Sequence, residues 1–137
     1  MFTLSTKVVY GVAAVFELAL SEGKGPLQAR DIARAQGIPE DYLRQLMAML
    51  KRAKIVESIR GVQGGYILKR RASEITIGEI MACLEGHPNF TRIRIRDRTL
   101  VSYFKEREKE IEGLFETSLE GLALDRQRCE QNVIYHI

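Results

Sequence analysis

Arg44, Lys51, Arg52, Lys54, Arg60, Lys69, Arg70 and Arg71 crowd one stretch of the chain, opposed between positions 44 and 71 only by Glu57. So dense a cationic run is an electrostatic footprint for a polyanion, with a solvated basic face as the bland alternative. Two polar side chains near its start suit base reading. Arg44 can donate two parallel hydrogen bonds to guanine O6 and N7, and Gln45 can pair with adenine; ordinary solvated polarity is the alternative for both. Arg60 adjoins Gly61-Val62-Gln63-Gly64-Gly65. There Gly61, Gly64 and Gly65 allow close backbone approach to a sugar-phosphate chain, while the arginine enters a narrow minor groove or grips phosphate. Lys51, Arg52, Lys69 and Arg70 would add phosphate contacts that carry no sequence information.

Other chemistries find little support. The glycine cluster lacks G-x-x-x-x-G-K-[ST] and precedes a strand rather than a helix, so it is a poor nucleotide-phosphate loop. His87 precedes a proline and His136 is next to the last residue. Neither pairs locally with a serine or cysteine, so no catalytic residue is expected. Cys83 and Cys129 lack C-x-x-C spacing, which argues against a disulfide framework or a self-contained metal site. As a redox thiol Cys129 is the better candidate, lying beside Arg126 and Arg128 in a polar stretch, with an inert surface thiol as the plainer reading. Cys83, next to Ile80 and Leu84, reads first as a buried small hydrophobe.

Helices must position these residues. Val8, Val12, Val15, Phe16 and Ala19 predict a first helix from Ser5, its N-cap, to about Leu20. A shorter helix is expected from about Gln28, itself a candidate DNA contact, to Gln36, with Gly37 leaving it in a left-handed conformation. The third, about Pro39 to Ala53, carries Tyr42, Leu43, Leu46, Met47 and Leu50 on one face and Glu40, Arg44, Gln45, Ala48, Lys51 and Arg52 away from it. Two helices joined by a short glycine-containing turn make a helix-turn-helix, and the N-terminal end of the second is the part that approaches base edges. Residues 55–60 and 66–69 predict two strands of a hairpin with a basic rim. Thr76-Ile77-Gly78-Glu79 has capping-box spacing and opens a helix ending near Gly86.

Beyond it, Arg92-Ile93-Arg94-Ile95-Arg96 reads as extended. A long charged helix is expected from about Asp97 to Thr117, with Leu100, Val101, Phe104, Ile111, Leu114 and Phe115 as a stripe interrupted at Arg107 and Glu108. So far from the first core, that stripe reads as a dimer seam. The expected fold is mainly α with a small β-hairpin: a winged helix-turn-helix plus a long C-terminal dimerisation helix. Its expected divisions are a DNA-binding domain over 1–86, a connecting segment over 87–98, and a dimerisation helix and tail over 99–137.

At 137 residues and 45% apolar, the chain has enough material for one domain. No apolar run approaches the roughly 20 residues that cross a bilayer, and no leader peptide is recognisable, so a cytoplasmic protein is expected. Residues 1–71 hold 12 Lys/Arg against 6 Asp/Glu, whereas residues 72–137 hold 9 against 12. The two halves are therefore expected to face different partners.

Ser5-Thr6-Lys7 with Tyr10-Gly11, Asp31-Ile32-Ala33, Gly37-Ile38 with Tyr42-Leu43 and Gln45-Leu46, and above all Ser58 to Tyr66 resemble the Rrf-two family of bacterial regulators, of the IscR, CymR and NsrR type. The resemblance covers about residues 4–86. It implies a homodimeric winged-helix transcription factor, in all expectation a repressor, reading a palindromic operator of double-stranded DNA. The family's DNA contacts would fall on Lys7 and Tyr10, on Tyr42, Arg44 and Gln45, and on Ser58, Arg60 and the Gly61–Gly65 loop. Relatives commonly carry glutamate where this chain has Arg44, so their operator sequences do not transfer.

Many relatives hold an iron–sulfur cluster with three cysteines between the capped helix and the dimer helix. This chain has no cysteine from Leu84 to Arg128, so no cofactor is expected, a cluster shared between subunits being the alternative. The cluster-free branch resembling CymR ends in an apolar-aromatic tail and binds cysteine synthase. Asn132 to Ile137 is comparable, making Tyr135 and Ile137 candidate partner-docking residues, with a tail packed on its own dimer as the plainer reading. The alternatives to a DNA-binding repressor are a protein-interaction module with this fold and a thiol or iron–sulfur redox-sensing regulator.

Overall fold

The computed structural model describes residues 4–89 and 94–135, with 133–135 as backbone alone. Helix α1 spans Thr6–Leu20, α2 Ala29–Gln36 and α3 Glu40–Arg52; strands β1 (Val56–Ile59) and β2 (Gly65–Leu68) follow. A 3-10 turn at Ala72–Glu74 leads into α4 (Ile77–Glu85), then α5 (Arg98–Gly113) and α6 (Leu119–Tyr135). No described helix is long and apolar enough to cross a membrane.

Local chemistry accounts for the first half. Ser5 Oγ accepts from the Val8 amide at 3.2 Å and donates to Glu85 Oε1 at 2.6 Å, so one hydroxyl opens α1 and ties it to the end of α4. Gly37 ends α2 at φ 67°, a left-handed conformation that suits glycine. Leu43, Leu46, Met47 and Leu50 are all at most 1% exposed, fixing the outward face of α3 by burying the other. With Val15, Ile32, Ile55, Val56, Ile75 and Ile80 they form the core, in which no described polar or charged residue is buried.

The hairpin is antiparallel, pairing Val56 with Leu68 and Ile59 with Gly65. Leu27, just before α2, joins it: its amide donates to Tyr66 O at 3.0 Å and its carbonyl accepts from the Tyr66 amide at 2.7 Å. The wing is thus anchored to the start of the helix-turn-helix. Two of its glycines are required by the protein's own backbone. A Cβ on Gly64 would lie 2.1 Å from Ile59 O, and one on Gly65 would lie 2.4 Å from Leu27 O. Gly61 instead sits at φ 115° with open space around it.

Two expectations are corrected here. The capping box at α4 closes only halfway: Thr76 Oγ1 accepts from the Glu79 amide at 3.1 Å, but the Glu79 carboxylate is taken by Arg70. Past residue 96, the helix expected over about Asp97 to Thr117 is α5, and the polar stretch beyond it forms a further helix, α6, that was not expected. Helix α5 stops at Gly113, and α6, where a polar stretch was expected, begins with Leu119 fully buried in the core. The turn between them docks on α4, whose first-turn amides lack partners within their own helix. Ile77 N donates to Thr117 O at 2.9 Å and Gly78 N to Phe115 O at 2.8 Å, while Leu119 N donates to Ile75 O at 2.9 Å. The extended reading of 92–96 falls partly on 90–93, outside the described residues; 94–97 has no regular structure.

Candidate nucleic-acid interface

Helix α3 presents Glu40, Asp41, Arg44, Gln45, Ala48, Lys51 and Arg52 to solvent. Arg44 Nη2 donates to Glu40 Oε1 at 2.8 Å, with the two side chains 56% and 46% exposed. This hydrogen bond raises the Arg44 pKa above its ordinary value against the opposing effect of desolvation, with the negative charges of Glu40 and Asp41 adding to the rise. From the sequence Glu40 stands with Arg44 and Gln45 at the end of the helix that approaches base edges; what went unread is its pairing with Arg44, although their i, i+4 spacing marks an ion pair.

Other predicted residues meet in pairs. Tyr10 of α1 packs edge-on against Tyr42 of α3, ring centroids 5.9 Å apart at 69°. Lys51 Nζ donates to Ser58 Oγ at 2.7 Å, joining the last turn of α3 to β1. Gln28 is half-buried at the start of α2, where its side chain makes no cap bond, and it follows the Leu27 bridge to the wing. Lys7 lies on α1 and Arg52 at the end of α3. Arg60, Gly61, Val62 and Gln63 are exposed at the hairpin tip, Val62 at 95%. Arg70 instead turns to the body, donating to the Glu79 carboxylate and to Glu74 O at 2.9 Å. That guanidinium is occupied, whereas Lys69 and Arg71 on either side of it are exposed.

The two cysteines differ as their surroundings suggest. Cys83 is half-buried with Sγ 3.7 Å from Met49 O, and burial pushes its thiol up, which lowers the reactive thiolate fraction. Cys129 is exposed on α6, but Arg126 pairs with Glu130 at 2.9 Å and Arg128 stands 3.9 Å from Asp125. Both neighbouring cations therefore have carboxylate partners. Among the described residues no group of three His, Cys, Asp or Glu side chains can hold a metal ion. His87 Nδ1 faces Glu112 Oε1 at 3.4 Å, and the chain carries two cysteines, Cys83 and Cys129. Ile137 and the Tyr135 side chain, the candidate docking tail, lie outside the described residues.

Comparison with known proteins agrees with this architecture. The profile of the Rrf2 family, described as "Iron-dependent Transcriptional regulator", matches residues 4–122. The HTH-type transcriptional regulator CymR of Bacillus subtilis is 43% identical over 83 residues, 61% of this chain and 60% of CymR. The HTH-type transcriptional regulator IscR of Escherichia coli O1:K1 is 38% identical over 89 residues, 65% of this chain but 55% of that protein. The chain thus matches less than two thirds of the length of these curated relatives. Solved structures match further along. IscR of T. potens superposes with a TM-score of 0.81 at 37% identity, covering 93% of this chain and 90% of that one. CymR, the global cysteine regulator of B. subtilis, gives 0.79 at 34% identity over 90% and 97%. On these matches the chain belongs to the Rrf2 family of helix-turn-helix transcriptional regulators, which are not enzymes.

Proposed function

We propose that two copies of this chain pair through α5 and repress transcription by holding a palindromic operator, each copy placing α3 in the major groove and its wing along the minor groove and backbone. The observation that carries this reading is the outward face of α3: its apolar side is fully buried, and Arg44 and Gln45 stand exposed beside a wing tipped by Arg60. Arg44 and Gln45 read bases, while Lys51, Arg52 and Lys69 hold phosphate and give steep salt dependence. Lys7, Tyr10, Gln28, Tyr42 and Ser58 complete the interface, with the Tyr10–Tyr42 and Lys51–Ser58 contacts keeping α1, α3 and the wing in fixed relation. The test is selection of fragmented genomic DNA from the source organism by purified protein at physiological salt. One enriched palindrome is expected; weak, salt-sensitive retention with no enriched sequence favours a protein-interaction module instead.

The regulator works without an iron–sulfur cluster. This rests on the absence of cysteine between Cys83 and Cys129 and on the lack of a three-ligand group among the described residues. Protein incubated anaerobically with iron and sulfide, then desalted, is expected to remain colourless. A brown product with visible charge-transfer absorption overturns this and points to ligands shared between subunits.

A further inference from the structure

We propose that Glu40 is a positioning residue for base readout, holding the Arg44 guanidinium at the leading end of α3 and so setting the base preference at one operator position per half-site. The inference rests on the DNA-binding reading above and adds a residue to it.

Glu40 is the first residue of α3 and Arg44 lies one turn behind, about 6 Å along the axis. Long helical side chains lean toward the N-terminus, so Arg44 naturally reaches forward, and the 2.8 Å bond to Glu40 Oε1 fixes where it stops. Stabilising the helix dipole would be the simpler task for an acid here, but Asp41 already supplies one in the same turn. The Glu40 carboxylate is instead engaged sideways with the arginine. A guanidinium has five N–H donors, so one bond to Glu40 leaves four, and guanine needs two.

In water an exposed pair of this kind contributes little. In the groove it acts in two ways. A restrained guanidinium loses less rotamer freedom on meeting O6 and N7, which favours the base that accepts both bonds. Glu40 also cancels the charge by which Arg44 would attract any phosphate, so the pair adds hydrogen-bond pattern without adding indiscriminate affinity. Both effects raise the ratio of specific to non-specific binding.

The test selects bound sequences from a randomised duplex with the parent, Arg44→Ala, Glu40→Gln and Glu40→Ala proteins, each checked for an unchanged melting temperature. Arg44→Ala identifies the position that this arginine reads. Both Glu40 variants are expected to weaken the guanine preference at that position by about threefold to tenfold, the worth of immobilising one long side chain, while other positions keep theirs and binding to non-specific duplex rises. Unchanged preference at that position overturns the inference and leaves the DNA reading intact, as does an equal loss at every position, which makes Glu40 merely a support for the helix. An Arg44→Ala protein whose preference is unchanged at every position overturns it too. A parent protein that enriches no sequence overturns the DNA reading itself.

Discussion

Leu119→Ala is expected to destabilise the fold by about 2–5 kcal/mol, the range for truncating a buried leucine that leaves a cavity. Leu119 is 0% exposed and belongs to the same core as Val15, Leu43 and Ile80, although it opens the last helix of the chain. Its amide is bonded to Ile75 O, and the preceding residues bond to the first turn of α4, so the backbone there has little freedom to collapse into the space left behind. Urea unfolding followed by circular dichroism should show the midpoint falling with the slope unchanged. A loss below about 0.5 kcal/mol, the scale of surface substitutions, would show that α6 is only loosely seated. The effect should extend beyond stability, because α6 packs on α1, and α1 carries Tyr10 against Tyr42 of the reading helix.

Leu119 also shows where the sequence was hard to read. Up to residue 86 each element has a local cause visible in residue types: the Ser5 cap, the left-handed Gly37, and the four apolar positions of α3 that are all fully buried. Helix α6 has no such stripe. Leu119 is buried and Leu122 half-buried, but positions 124–132 are all exposed, so periodicity gives almost no signal. One clue was present: Ser118 Oγ accepts from the Gly121 amide at 3.0 Å, a serine three residues ahead of an amide it can satisfy, as at Ser5. At the wing the residue types were legible and their structural cause was not: Gly64 and Gly65 are required by the Ile59 and Leu27 carbonyls, and of the three only Gly61 has open space and a positive φ at the exposed turn. The Arg70 side chain likewise carried charge toward an expected phosphate contact, and its tie to Glu79 comes from a fold that no local pattern encodes.

A Leu100→Glu, Leu114→Glu double variant is expected to be monomeric by size-exclusion chromatography with light scattering, and to bind a palindromic operator about 10²–10⁴-fold more weakly than the parent. None of the residues of α5 is buried, and Leu100, Tyr103 and Leu114 are 48%, 50% and 74% exposed in the single chain. Leu100 and Leu114 are separated by nearly four whole turns and share a face, and a second copy related by two-fold symmetry would cover that face on both chains at once. The charged interruption of the stripe is accommodated within α5: Arg107 lies 4.7 Å over the Tyr103 ring and bonds Glu110 at 3.0 Å, so the guanidinium presents a flat, partly neutralised surface. The core is untouched by either substitution, so the melting curve should keep its shape once dissociation is allowed for. Loss of avidity, not of base contacts, is what the variant measures, and its affinity for a single half-site should stay near the parent's. A parent that is already monomeric at full operator affinity, or a variant that remains dimeric, would place the seam elsewhere and leave the exposed leucines without this role.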